Sequence, residues 1–236
     1  MSRLILASAS PQRKTLLEGL DLTFEVMPSA IEESSCPEKD PLQRAKALAH
    51  LKARDVAVRN PGCIVIGCDT LVVSADGTLL EKPMDEKDAL GMLRLQSGRT
   101  SLVHSGLTVI GADGKEFSGI STSSVTFKKL SHAEEQWWIA SGAWKDRSGA
   151  FQIEGQGQFM IERIDGDWTG VVGLPVFLLG ELLDKAGVSV VEVIDPQSCT
   201  VEVSFGRRKN PGRRFPPNTR MSSNDCGQPD ARARAR

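Results

Sequence analysis

The sequence predicts an α/β fold, and three observations carry that prediction. Short aliphatic runs, RLILA (residues 3–7) and CIVIG (63–67), each stop at small or polar residues, as buried strands do. Between them, Leu42, Ala45, Leu48, Ala49, Leu51 and Val56 recur at helical spacing within residues 41–60. Residues 100–128 alternate apolar and polar about Ala112-Asp113-Gly114, the pattern of two strands joined by a turn. Helices and strands interleaved along one chain indicate a layered α/β architecture.

The remaining elements follow in order. After RLILA, Ser10 suits an N-cap and Pro11 the first helical position, where its missing N–H costs nothing. Leu16, Leu17 and Leu20 then supply an apolar stripe. TFEVMPS (23–29) alternates like a second strand, and the polar IEESSCPEKD (31–40) reads as a loop. CIVIG ends at Cys68-Asp69-Thr70, and LVVSADGTLLEKP (71–83) reads as a hairpin turning at Ala75-Asp76-Gly77. Asp85 caps a helix over 85–98, and Ser131 with Glu134 forms a capping box opening a helix over 131–142. QFMIERIDGDW (158–168) is strand then turn, and LPVFLLGELLDKAG (174–187) is a closing helix.

Charge and composition change near the C-terminus. The chain of 236 residues has a net charge of -1, yet residues 201–236 hold nine Lys or Arg against Glu202, Asp225 and Asp230. That makes the tail +6 and the first 200 residues -7. An acidic body argues against nucleic-acid binding by the folded part. The expected division is a domain over 1–187 and a C-terminal extension over 188–236, Arg/Pro-rich and too poor in aliphatic residues to order itself from about 205. Five cysteines stand singly, which suits neither a zinc site nor a disulfide framework. No leader-like stretch precedes the first strand, and VVGLPVFLLGELL (171–183) is too short to span a membrane. The expectation is a cytoplasmic protein without a membrane partner.

Several residues can carry chemistry. A helix opening at SASPQR offers free backbone N–H groups and the positive end of a dipole, which favour an anion. Ser8 and Ser10 add hydroxyls, and Arg13 adds a planar fork matched to phosphate oxygens; the same serines also serve simply to start a helix. Asp69, at the expected carboxyl end of CIVIG, either binds a divalent metal, accepts a proton from water, or sits in a turn. Lys82 before Pro83 lies in an extended segment, and Glu32 and Glu33 follow the second strand. Neither a GxxxxGK[ST] loop nor a GxGxxG fingerprint is present, and His50, His104 and His132 are isolated. Together these residues suit a metal-bound polyphosphate.

LILASASPQRKTLLEGL, IEE, AKALAHLKA, IVIGCDTLV, LLEKPMDEKDALGMLRLQSGRT, DRSGAFQIEG and GVVGLPV, in that order, resemble the Maf (septum-formation-inhibitor-like) nucleoside triphosphate pyrophosphatases across roughly residues 3–185. The resemblance implies an elongated mixed sheet flanked by helices, with a central nucleotide-binding cleft like that of inosine triphosphatases. It also implies cleavage between the α- and β-phosphates with Mg²⁺ or Mn²⁺, in a house-cleaning role, and in many members a homodimer. By matching position, Asp69 is the general base or a metal ligand. Glu33 is a metal-binding acid, and Ser8, Arg13, Lys52 and Lys82 contact phosphate; Lys52 has no local signal and enters only here.

Gln12, Thr70 and Glu154 fall at positions that set base specificity, and they disagree. Thr70 matches the dTTP/UTP branch, whereas Gln12 departs from its arginine and Glu154 from its glutamine. A carboxylate at 154 suits a guanine N–H edge, so the expectation leans to a 7-methyl-GTP-like substrate, with dTTP/UTP as the alternative. Arg147 stands where lysine or cysteine is usual, and no role for it follows from sequence. A non-catalytic nucleotide-binding regulator of cell division is the competing class, although such a module has no need of a water-activating carboxylate.

Overall fold

The computed structural model describes residues 2–189. All of the expected C-terminal extension except residues 188 and 189, with its Arg-rich tail, lies outside the described residues. One mixed sheet organises the rest. It contains β1 (Leu4–Leu6), β2 (Glu25–Val26), β3 (Ile64–Val73), β4 (Leu79–Leu80), β5 (Thr100–Ile110), β6 (Glu116–Phe127) and β7 (Ile161–Asp165). The strand order is β2-β1-β3-β5-β6-β7, with β4 also paired to β3. β1 runs parallel to β2 and β3, and the other pairings are antiparallel.

The helices are α1 (Pro11–Glu18), α2 (Pro41–Arg59), α3 (Glu86–Gln96), α4 (His132–Ser141), α5 (Trp168–Val172) and α6 (Val176–Lys185). Ala53 and Val56 of α2 pack on Val65 and Ile110, which are paired neighbours on one sheet face. Leu17 of α1 and Leu179, Leu182 and Leu183 of α6 pack with Ile66, Cys68, Leu107 and Val109 on the opposite face. Further along that face Val72 and Val103 meet Ala89 and Leu93 of α3 and the fully buried Trp138 of α4. Alternation along β3 and β5 produces both layers, because successive residues of a strand point to opposite faces.

Glycine allows α2 to lie unusually close. A Cβ at Gly67 would stand 2.3 Å from the Ala49 carbonyl oxygen and 2.6 Å from the Ala53 nitrogen. On the adjoining strand, a Cβ at Gly106 would stand 2.3 Å from the Ala45 carbonyl oxygen. Helix backbone therefore rests directly on strand backbone at the level of Asp69, whose register partner is Gly106.

Several expected elements change. The run CIVIG does not end at Cys68: β3 continues through Asp69 and Thr70 to Val73, so Leu71–Val73 belong to the same strand, with the hairpin turn following. The reason is that β5 pairs with β3 continuously from Val65 to Val73, which keeps the strand extended past its polar residues. Asp69 consequently lies in the middle of a strand. The second strand shrinks to two residues, Glu33–Ser35 form a 3-10 turn within the expected loop, and another 3-10 segment, Gly155–Met160, takes the first three residues of the strand expected from 158. Helix α5, capped by Asp167, had no periodicity long enough to announce it. The expected capping box at Ser131 and Glu134 and the expected cap by Asp85 are present, and Asp40 also caps α2.

Pairing across the sheet leaves a notch. β1 pairs with Ile64–Ile66 and β4 with Val72–Val73, so among the described residues, 67–71 of β3 have β5 on one side and no strand on the other. Of the described strands, β3, β5 and β6 alone cross that level, since β7 pairs with β6 only at residues 124–127. The sheet is thus wide at both ends and three strands wide at its waist.

Candidate active site

A cleft of about 910 Å³ opens at the notch. Its walls come from the Ala7–Arg13 turn, the β2 exit with Glu33, the α2 residue Lys52, the β3 waist, Glu81-Lys82 and the segments 145–148 and 151–154. Ser8, Ser10, Gln12, Arg13, Glu33, Lys52, Asp69, Thr70, Lys82 and Glu154 line it, while Glu32, the other acid expected after the second strand, does not. Asp69 and Thr70 reach it from opposite faces of β3, which the missing neighbour strand allows.

On the α2 face, Lys52 joins two carboxylates. Its Nζ lies 2.5 Å from Asp69 Oδ1 and 2.7 Å from Glu33 Oε1. Lys52 is 7% exposed and Asp69 5%, so this pair is largely withdrawn from water and electrostatically strong. Close seating of α2 on Gly67 and Gly106 brings the lysine, in mid-helix, within reach of a mid-strand aspartate. Asp69 Oδ2 is buried and has no hydrogen-bond partner among the described residues. A buried acceptor left alone is costly, and such atoms mark places where a water, ion or ligand is held. Burial of the Glu33 carboxyl acts to raise its pKa, but the hydrogen bond and charge of Lys52, with Lys82 and Arg13 nearby, outweigh it and hold the group below its usual range.

The other face is organised by Arg13. Its Nε donates to the Gly173 carbonyl at 2.8 Å, one terminal nitrogen to Ser8 Oγ at 2.9 Å and the other to Thr70 Oγ1 at 3.3 Å. Thr70 Oγ1 is also 2.9 Å from Ser105 Oγ, which donates to the Gly170 carbonyl at 2.7 Å. Gly173 has φ +133°, a conformation side-chain-bearing residues rarely adopt, and it aims its carbonyl at Arg13. Ser8 Oγ accepts from Arg13 and from the Ser10 amide at 3.2 Å, leaving its own proton to donate. Ser10 stands at the N-cap of α1, yet its side chain does not cap: Oγ donates to Gln12 Oε1 at 3.1 Å. That contact leaves the Gln12 amide N–H groups as donors.

Sequence reasoning missed two cationic side chains and one carbonyl. Arg44, on α2 two turns before Lys52, donates to the backbone carbonyls of Glu33 (2.9 Å), Cys36 (3.0 Å) and Glu38 (3.2 Å). It ties the Glu33 loop to the helix that carries Lys52, and nothing in LQRAKA announces this. The Gly173 carbonyl could have been suspected only from its place in GVVGLPV. Arg147 also lines the cleft.

Two carboxylates, Asp69 and Glu33, offer the oxygen donors that hard divalent cations take. No group of three or more His, Cys, Asp or Glu able to hold a metal occurs among the described residues. Mg²⁺ is commonly held by one or two carboxylates plus phosphate oxygens of its substrate, so the pair, with its orphaned Oδ2, fits such an ion.

Fold and cleft together define a class, that of α/β proteins working at a charged notch in the edge of a sheet. Within it the assignment is specific: the family described as Maf-like protein matches residues 3–186, and the chain belongs to that family. It is similar to a dTTP/UTP pyrophosphatase of Deinococcus radiodurans, 44% identical over 191 residues covering 81% of this chain and 96% of the relative. A dTTP/UTP pyrophosphatase of Methanosarcina barkeri is 43% identical over 194 residues, covering 81% and 98%. Among solved structures, a HAM1 protein from Coxiella burnetii aligns with a TM-score of 0.40 at 15% identity, over 55% of this chain and 75% of that one.

Proposed function

We propose that this Maf-family chain, a nucleoside triphosphate pyrophosphatase, takes dTTP and UTP as its substrates and releases a nucleoside monophosphate and pyrophosphate in the cytoplasm. The observation that carries the reading is the buried Lys52–Asp69 pair with its unpartnered Oδ2 at the cleft. Water attacks the α-phosphorus, its proton passes to Asp69, and the bond to the β-phosphate breaks with the electron pair leaving on pyrophosphate. Lys52 orients Asp69 through the contact with Oδ1 and leaves Oδ2 for the proton. Ser8 and Arg13 hold phosphate oxygens at the N-terminus of α1.

A divalent cation, Mg²⁺ or Mn²⁺, belongs in this reading, held by Glu33 and Asp69 and supplying charge neutralisation. Five cations line the cleft (Arg13, Lys52, Lys82, Lys145, Arg147) against five carboxylates (Glu33, Asp69, Glu81, Asp146, Glu154). That balance alone does not neutralise a triphosphate. A bound divalent ion would offset about half of that charge.

The relatives' activity toward dTTP and UTP, shared by both proteins cited, outweighs the lean toward 7-methyl-GTP that Glu154 suggested. A thymine or uracil edge presents an N–H between two carbonyl oxygens. Glu154 can accept from the N–H, and Gln12, with its oxygen occupied by Ser10, can donate to a carbonyl. Pyrophosphate release should be measured over dTTP, UTP and 7-methyl-GTP with Mg²⁺ or Mn²⁺. A preference for dTTP and UTP of about tenfold or more is expected from one or two matched hydrogen bonds. Equal or faster release from 7-methyl-GTP would overturn the base assignment, and release from no triphosphate would overturn the activity.

A further inference from the structure

The segment from Trp144 to Phe151 is a strained loop fastened from three sides. Asp146, Gly149 and Ala150 have φ of 58°, 72° and 57°, in the left-handed region that residues other than glycine avoid. Gln96, fully buried, donates to the Gly149 carbonyl at 2.7 Å, and Trp138 Nε1 donates to the Ala150 carbonyl at 2.8 Å. The Gly149 amide donates to the Glu81 carbonyl at 3.1 Å. Strain held by so many buried contacts marks a loop whose shape serves a purpose. The tie to Glu81 fixes Arg147 to the segment that carries Lys82.

Most cations of the cleft are already committed. Arg13 uses three of its five N–H groups on Gly173, Ser8 and Thr70, leaving two for substrate, and Lys52 joins Glu33 to Asp69. Lys145 stacks over the Trp144 ring at 5.6 Å. Arg147 and Lys82 line the same cleft, and neither side chain has a hydrogen bond or an ion pair among the described residues. Two like charges on hydrogen-bonded segments repel one another, and an anion between them reverses the sign.

We infer that Arg147 is a substrate-contacting residue that, with Lys82, holds the pyrophosphate leaving group. The inference rests on the pyrophosphatase reading and adds a residue to it. Leaving-group charge develops as the α–β bond breaks, and uncommitted donors aimed at that charge lower the barrier. The guanidinium supplies two parallel N–H bonds to phosphate oxygens, which an ammonium does not.

The test compares wild type with Arg147→Ala and Arg147→Lys, using dTTP turnover and inhibition by inorganic pyrophosphate and by dTMP. Arg147→Ala should lower kcat/KM about tenfold or more and weaken pyrophosphate inhibition to a similar degree, the effect of losing a charge-assisted contact, with dTMP inhibition within about twofold of wild type. Arg147→Lys should recover part of both. Unchanged pyrophosphate inhibition in Arg147→Ala would overturn the inference, as would equal weakening of both products in the two variants, which marks a collapsed loop. Calorimetric titration with inorganic pyrophosphate reads Arg147 even if wild type hydrolyses nothing. Weaker binding in Arg147→Ala then supports the contact while the activity reading fails.

Discussion

Lys52 Nζ lies 2.5 Å from Oδ1 of Asp69, while Oδ2 of the same carboxylate is buried with no partner among the described residues. One oxygen is anchored and the other is open; in the proposed reaction that open oxygen takes the proton from water. Asp69→Asn keeps an acceptor for Lys52 but removes the base. Pyrophosphate release should fall by about 10²- to 10⁴-fold, the range for a lost general base. Calorimetric affinity for dTTP should stay within a few-fold. Undiminished turnover would take Asp69 out of the mechanism.

Gly67→Ala places a methyl against backbone atoms of Ala49 and Ala53 at less than 3 Å, and backbone cannot swing aside as a flexible side chain can. Helix α2 must lift, and Lys52 with it. A loss of about 1–3 kcal/mol in urea unfolding is expected from such overpacking, together with a fall in turnover. Gly91→Ala, in α3 with open space around it, is the control and should be neutral or stabilising by up to about 1 kcal/mol.

Arg44 holds three carbonyls of the loop that carries Glu33. Arg44→Gln frees that loop without touching any cleft side chain. The variant should melt close to wild type, lose about tenfold in kcat as Glu33 drifts from Lys52, and need more Mg²⁺ for half-maximal rate. A wild-type Mg²⁺ dependence would show that Arg44 serves the loop's stability alone.

Glu33 contributes to stability in a pH-dependent way. Its folded pKa is lowered from 4.5, so its contribution is fully present above that value and is lost as pH falls through the lowered folded value. Comparing urea midpoints of wild type and Glu33→Gln from about pH 7 down to about pH 3 should show an advantage for wild type that shrinks in acid. A constant difference across the range would mean that Lys52 does not stabilise the Glu33 charge.

Local signals were legible where local physics decides. Asp85 and Ser131 cap the helices they precede, because a cap is a contact between residues three apart. The course of β3 was not legible beyond Cys68, since its continuation depends on pairing with a strand some forty residues later. Ser8, Arg13 and Asp69 carried signals of their own as candidates. Lys52 did not: only the packing of Ala45, Ala49 and Ala53 against two glycines shows why a mid-helix lysine belongs in a cleft. Arg44 binds loop carbonyls and Arg147 is placed by the fastened backbone around it, neither of which residue identity encodes.

At the waist the sheet narrows to three strands, and its broader ends carry separate clusters of side chains, one around Trp138 and one around Ile66. Helix α2 backs that narrow span, resting on Gly67 and Gly106 beside Asp69. A ligand in the cleft therefore meets groups carried by both ends of the sheet, Ser8 and Arg13 from one and Lys82 from the other, with Asp69 between them.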